Sequence, residues 1–154
     1  MQQHRLIYYI AAIAVMWLFL LSGIATAKGD DMFMKQLKTS IAKVRTGKTS
    51  EIRTEAAKHL FKLTRGADPK EVDDRTIDEL ASLLDNSDDS VRYWTARCIG
   101  NLGPRAKLVA PKLLKMLPEA DRLRGSKTSA SGIRFALEQM GITPPPPQCE
   151  ATRD

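Results

Sequence analysis

The chain has 154 residues, 43% apolar and 27% charged, and this composition excludes an intrinsically disordered protein. Only two cysteines are present, so a disulfide framework cannot replace a hydrophobic core. The formal net charge of +6 permits attraction to an acidic partner.

Residues 1–27 have the features of a secretory signal. Arg5 precedes an unbroken apolar run from Ile10 to Leu21, and Ala25-Thr26-Ala27 supplies the small residues that a signal peptidase requires. We therefore predict a periplasmic or secreted mature chain that begins at Lys28. An uncleaved membrane anchor is the alternative, because residues 10–27 approach the roughly 17 to 25 residues that cross a bilayer.

The first two predicted helices cover residues 32–46 and 50–65. Apolar side chains recur in both at steps of three or four residues, which places them on one face of a helix. Thr49 can cap the second helix with its hydroxyl oxygen. A turn-rich acidic connector follows at residues 66–74.

The next two helices are predicted over residues 75–85 and 90–102. Thr76 and Glu79 form a capping-box pattern at the start of the third helix. The fourth helix carries the clearest apolar stripe, for which burial is predicted: Val91, Trp94, Thr95, Cys98, Ile99 and Leu102. Asp88 and Asp89 precede it and Gly103 ends it, as capping chemistry requires.

The last two helices are predicted over residues 107–118 and 129–140. Leu108, Leu113, Leu114 and Leu117 form the stripe of the fifth helix. Because a proline inside a helix loses a backbone hydrogen bond, Pro111 predicts a bend or a start near Ala110. The four prolines at 144–147 predict a stiff polyproline segment, which opens a disordered tail over residues 144–154.

The chain also carries an internal repeat. A shift of 39 residues lays Ile52 on Val91 and Leu63 on Leu102, and a shift of 38 lays Ile99 on Leu137. A period near 40 in a helical protein is typical of stacked helix pairs. The predicted fold is therefore all-α, a short α-solenoid of about three antiparallel helix pairs over residues 28–143.

Two segments resemble the HEAT-repeat family. D-D-S-V-R-Y-W-T-A-R-C-I-G-N-L-G at 88–103 is similar to the second helix of such a repeat, and A-K-L-V-A-P-K-L-L-K-M-L at 106–117 is similar to a first helix. The resemblance implies a right-handed superhelix whose second helices line the concave side. Asn86, and Ser129 with Ala130, depart from the family pattern, so we expect Arg92 to find a partner other than the usual aspartate.

Basic side chains on the second helices are the candidate contact surface for a partner. One edge of the second and fourth helices carries Lys58, Lys62, Arg65, Arg97, Asn101 and Arg105. A strip of this kind attracts acidic segments. The basic loop at 122–129, with Arg122 and Arg124, is the other candidate, because it is longer than a tight turn needs. A solvated face and a mobile loop are the alternatives.

Little in the sequence indicates catalysis. His59 is the only histidine after residue 27, and it lies beside an apolar stripe, where a structural hydrogen bond explains it. We expect no metal site and no cofactor, and we expect no nucleic-acid binding because aromatic residues for stacking are few. Cys98 and Cys149 can pair in an oxidising compartment, or Cys98 can remain a buried thiol.

The predicted function is accordingly that of a non-enzymatic interaction module or scaffold of the bacterial envelope or exterior. Its concave helical face would bind another protein. The alternative is a membrane-tethered accessory subunit of an envelope complex, which keeps residues 10–27 as its anchor.

Overall fold

The structure is a computed structural model that describes residues 31–123 and 125–147. These residues form helices and loops without a β-strand, which confirms the all-α prediction. The chain divides into the compact units Met1–Lys35 and Gln36–Asp154, and the helical packing is that of the second unit. No helix in the described ranges has the length and apolar character needed to cross a membrane. Residues 1–27, Arg124 and Cys149 lie outside them.

Six α-helices account for most of the described residues. They are α1 (residues 31–46 of the described part), α2 (Ser50–Thr64), α3 (Asp74–Ser82), α4 (Asp89–Asn101), α5 (Ala110–Ala120) and α6 (Ser129–Gln139). Three 3-10 segments join them, at Pro69–Glu71, Leu83–Asp85 and Gly103–Val109. The predicted helices are thus present, with ends displaced by a few residues.

Polar side chains cap α2, α3 and α4, in two of these three cases as predicted. Thr49 accepts a hydrogen bond at the start of α2, and Asp88 does so at the start of α4. The prediction of a capping box formed by Thr76 and Glu79 is wrong. Asp73 caps α3 instead, because its carboxylate accepts from the Thr76 amide at 2.6 Å.

The start of α5 confirms the effect predicted for Pro111. The helix begins at Ala110, which places Pro111 in the first turn, where its missing N–H costs no intrahelical hydrogen bond. Leu108 therefore falls in the preceding 3-10 segment and is 89% exposed, although the sequence pattern placed it on the buried stripe. Leu114 is also exposed, whereas Leu113 and Leu117 are buried.

The core receives large apolar side chains from every helix. Those that are fully buried are Leu37, Ile41, Leu60, Leu80, Leu84, Ile99, Leu102, Leu113, Leu117, Ile133, Leu137 and Met140. Helix α4 contacts both α2 and α6, and its contact with α6 is more extensive than its contact with α2. Glycine permits this close approach, because a Cβ added at Gly132 would lie 2.7 Å from the carbonyl oxygen of Tyr93.

Hydrogen bonds between consecutive even-numbered helices join residues that lie about 40 positions apart. The Ser50 hydroxyl donates to the Asp88 carboxylate, and the backbone amide of Ser129 donates to both carboxylate oxygens of Asp89 at 3.2 Å. The Asn101 side chain donates to the Phe61 carbonyl at 3.2 Å. These bonds fix α4 relative to its two neighbours.

Two arginines separated by 39 residues make the same backbone contact. The Arg53 guanidinium donates to the carbonyl of Gly47 at 3.1 Å, and that of Arg92 donates to the carbonyl of Asn86 at 3.0 Å. Arg92 also pairs with Asp89 at 3.1 Å. Arg92 therefore has a partner other than an aspartate at position 86, as expected.

Candidate functional site

A groove of about 440 Å³ crosses the helices α2, α4 and α6. Its lining, which we call the aromatic groove, consists of Phe61, Arg65, Trp94, Arg97, Asn101 and Phe135. Trp94, Arg97 and Asn101 recur at steps of three and four residues, so they share one face of α4. The groove exists because α4 contacts both of its neighbours, which each add a phenylalanine.

The aromatic side chains of the second compact unit are concentrated at this groove. Phe61, Tyr93, Trp94 and Phe135 are the four aromatic residues that follow Lys35 in the sequence. The Trp94 ring lies 5.4 Å from the Phe61 ring at a tilt of 49° and 4.8 Å from the Tyr93 ring, edge to face. These are favourable aromatic geometries, so the three rings stabilise one another.

Arg97 is held at the centre of these rings. Its guanidinium carbon lies 4.4 Å from the centroid of Phe135, 5.1 Å from that of Phe61 and 5.8 Å from that of Tyr93. Contacts between a guanidinium and ring faces are attractive and compensate for part of the lost hydration. One Nη atom also donates to the Tyr93 hydroxyl at 3.1 Å.

The donors of Arg97 are only partly used. Its Nε is buried and makes no hydrogen bond, and no carboxylate of the described residues lies within 4 Å of the guanidinium. Because a guanidinium has five N–H donors and a charge, this arrangement favours an anionic ligand. The buried Nε is also a polar group that the helices alone do not satisfy.

The residues of the predicted basic strip occupy three different environments in the structure: the aromatic groove, the surface of α2 and an ion pair with Asp74. Arg65 and Asn101 line the aromatic groove with Arg97. Asn101 is also structural, because its amide nitrogen donates to the Phe61 carbonyl and to the Thr64 hydroxyl.

On α2, Lys62 is exposed, and Lys58 pairs with Glu55 at 2.5 Å. This hydrogen bond from Lys58, with the nearby charge of Lys62, lowers the pKa of Glu55. Arg105 does not line the groove. Its guanidinium forms an ion pair with the Asp74 carboxylate at 2.6 Å.

The second candidate surface, the loop after α5, is described only in part. Arg122 is exposed and does not line the aromatic groove, and Arg124 lies outside the described residues. A second cavity of about 350 Å³ lies nearby, between the turn before α4 and the end of α5. Arg92 and the buried Ser129 contribute to its lining.

The groove aromatics were not predicted as functional residues. Trp94 was expected in the core, but it is only half-buried, because it borders the groove instead of facing the centre of the molecule. The positions of the aromatic residues in the sequence were the signal that could have identified the groove. Aromatics are few, and those after Lys35 all lie on the helices predicted to face the same side.

Comparison with known proteins does not identify a relative. No family model, no curated protein and no solved structure matches the chain.

The remaining polar residues of interest are engaged within the protein. The Ser40 hydroxyl donates to the Gln36 carbonyl at 2.9 Å, and its oxygen lies 2.9 Å from the Nδ1 atom of His59. Cys98 is a free, fully buried thiol, and burial raises its pKa to about 12. Among residues 31–123 and 125–147, no group of three or more potential ligands could hold a metal ion.

Proposed function

We propose that this protein is a non-enzymatic interaction module that binds another protein in the aromatic groove. The observation that carries the proposal is the set of aromatic rings around Arg97, whose charge has no counterion among the described residues. Aromatic and arginine side chains are enriched where protein interfaces bind most strongly. A volume near 440 Å³ is also within the range of sites that enclose a ligand or a peptide side chain.

We further propose that α1 to α6 form a short solenoid of three helix pairs that resembles HEAT repeats. The matched carbonyl contacts of Arg53 and Arg92 support it, as do the hydrogen bonds that join residues about 40 positions apart. In such an arrangement α2, α4 and α6 are the second helices of their pairs. The aromatic groove then lies on the concave side, where repeat proteins of this kind bind partners.

The N-terminal residues bear on the cellular location of the protein. We propose export to the periplasm or exterior after removal of residues 1–27. The alternative is a membrane-tethered accessory subunit, supported by the length of the apolar stretch 10–27. Sequencing the N-terminus of the protein recovered from cells separates the two, since a start at Lys28 supports export and a retained Met1 supports the anchor.

Photo-crosslinking in cells tests the groove. A photoreactive residue replaces Lys62, which is exposed and one residue from Phe61, or Leu108, which is 89% exposed and does not line the groove. We expect a partner adduct from position 62 that is lost on Phe135→Ala, and none from position 108. Adducts of equal yield from both positions, or an adduct unaffected by Phe135→Ala, would contradict the proposal.

A further inference from the structure

The charges at the aromatic groove have one sign. Arg65 and Arg97 both line it, and its other lining residues are uncharged. Neither arginine forms an ion pair with a carboxylate of the described residues. Lys58, by contrast, is already neutralised by Glu55. Two unpaired guanidinium groups at one groove complement a ligand that carries negative charge.

The Arg97 guanidinium is also fixed in place before any ligand arrives. Phe61 and Phe135 contact it, and the Tyr93 hydroxyl accepts one of its hydrogen bonds. A side chain that is already ordered loses little conformational entropy on binding. The planar arrangement of guanidinium donors matches the two oxygens of a carboxylate, so a bidentate pair is the geometry that such a group favours.

The lining of the groove favours a ligand that has apolar groups as well as negative charge. Phe61, Trp94 and Phe135 offer apolar surface beside Arg97, and a free inorganic anion leaves this surface exposed to water. Asn101 donates through its amide nitrogen, while its carbonyl oxygen accepts no hydrogen bond from the described residues. That oxygen can accept from the backbone N–H of an extended peptide.

From these features we infer that the groove binds a peptide segment in which an aspartate or glutamate lies within two residues of an aromatic or aliphatic residue. The carboxylate pairs with Arg97, and the neighbouring apolar side chain contacts Phe61, Trp94 and Phe135. Arg65 adds long-range attraction at the rim. This inference rests on the proposed function, because it names the chemistry of the partner at the same groove.

Selection from a random library of displayed 12-residue peptides tests the inference, with the protein as recovered from cells as the bait. We expect the selected peptides to carry acidic residues next to apolar ones. The affinity of the best peptide is then measured by fluorescence polarisation. Arg97→Gln should weaken binding by roughly 10- to 100-fold, the range expected for hydrogen bonds to a charged group. Arg97→Lys should restore part of the loss, because it keeps the charge without the planar donors.

Two controls distinguish loss of the ion pair at Arg97 from a general loss of positive charge and from destabilisation of the fold. Arg75→Gln removes the same charge from an arginine that is 88% exposed on α3, and it should leave the affinity unchanged. Replacing the acidic residue of the peptide by its amide tests the same ion pair on the unaltered protein, and should weaken binding to the same extent as Arg97→Gln. This second test remains valid even where Arg97→Gln lowers the stability of the fold.

The outcomes distinguish this inference from the proposed function. Selected peptides that lack acidic residues, yet lose binding on Phe135→Ala, would overturn the acidic ligand and leave the groove as a binding site. Competition by inorganic phosphate or acetate alone at millimolar concentration would also overturn it, because the apolar walls would then contribute nothing. Failure to select any peptide whose binding depends on Phe135 would overturn the proposed function as well.

Discussion

Replacement of Gly132 by alanine tests the contact between α4 and α6 on which the aromatic groove depends. The new Cβ would lie 2.7 Å from the carbonyl oxygen of Tyr93, 3.2 Å from its ring and 3.3 Å from the Cβ of Ala96. The carbonyl belongs to the backbone, so no side-chain rotation relieves the overlap. The two helices must therefore separate.

The expected loss of stability follows from two opposing terms. Overpacking of a core costs about 1 to 3 kcal/mol, and a backbone contact favours the upper end. Alanine in a helix recovers about 1 kcal/mol relative to glycine. The net loss at Gly132→Ala is therefore about 2 kcal/mol. For a domain of this size, it corresponds to a fall of roughly 8 °C in the midpoint of thermal unfolding.

Circular dichroism at 222 nm measures this midpoint, with Gly66→Ala as the matched control. A Cβ at Gly66 would meet no atom within 4 Å, so the control should unfold at the wild-type temperature or slightly above it. We also expect Gly132→Ala to weaken peptide binding, because Phe135 moves with α6 away from Arg97. A midpoint for Gly132→Ala equal to or above that of the wild type would refute the close packing of α6 against α4 at Gly132.

Three further predictions concern ionisable groups. Asp121→Ala should lower the free energy of unfolding, measured in urea, by about 3 kcal/mol, because the Asp121 side chain is only 7% exposed and both of its carboxylate oxygens accept from Arg134. A loss below about 1 kcal/mol would argue against a buried pair. In a Cys149→Ser variant, Cys98 should resist alkylation at pH 8 and react only after unfolding, because burial raises its pKa to about 12; rapid labelling of the native protein would contradict its burial. Asp73→Ala should cost about 1 kcal/mol at pH 7 by removing a helix cap. Hydrogen bonding lowers the pKa of Asp73 in the folded protein, so its contribution is present above the ordinary value of 3.8 and lost as the pH falls below it. Urea unfolding at pH 7 and pH 3 measures this difference, and an equal effect at both would contradict it.

Local patterns were sufficient to place the helices. The steps of three and four residues predicted α2 and α4, and Thr49 and Asp88 cap them as their side chains suggest. Gly103 ends α4 as predicted, and its positive φ of 53° is the left-handed conformation in which glycine ends a helix. These features depend on neighbours within a few residues, which is why they can be predicted without tertiary contacts. The cap of α3 was missed because two adjacent aspartates and a threonine compete for the same role.

The candidate site was only partly predictable. Helical spacing correctly grouped Arg65, Arg97 and Asn101 on one side of the molecule. It could not show that Arg105 turns to Asp74, because that contact joins residues 31 positions apart in the sequence. Nor could it show that Trp94 borders a groove, because an apolar stripe indicates which face is covered without saying how completely.

The amino-acid sequence by itself determined that residues 31–123 and 125–147 are mainly helical, where their helices lie to within a few residues, and that a period near 40 recurs along the chain. These properties follow from backbone hydrogen bonding and from the apolar period along one segment. Only the tertiary structure decided that Phe61, Tyr93 and Phe135 meet around Arg97. That meeting depends on how closely α2 and α6 approach α4, and the approach is limited by contacts between residues far apart in the chain, such as Gly132 with Tyr93.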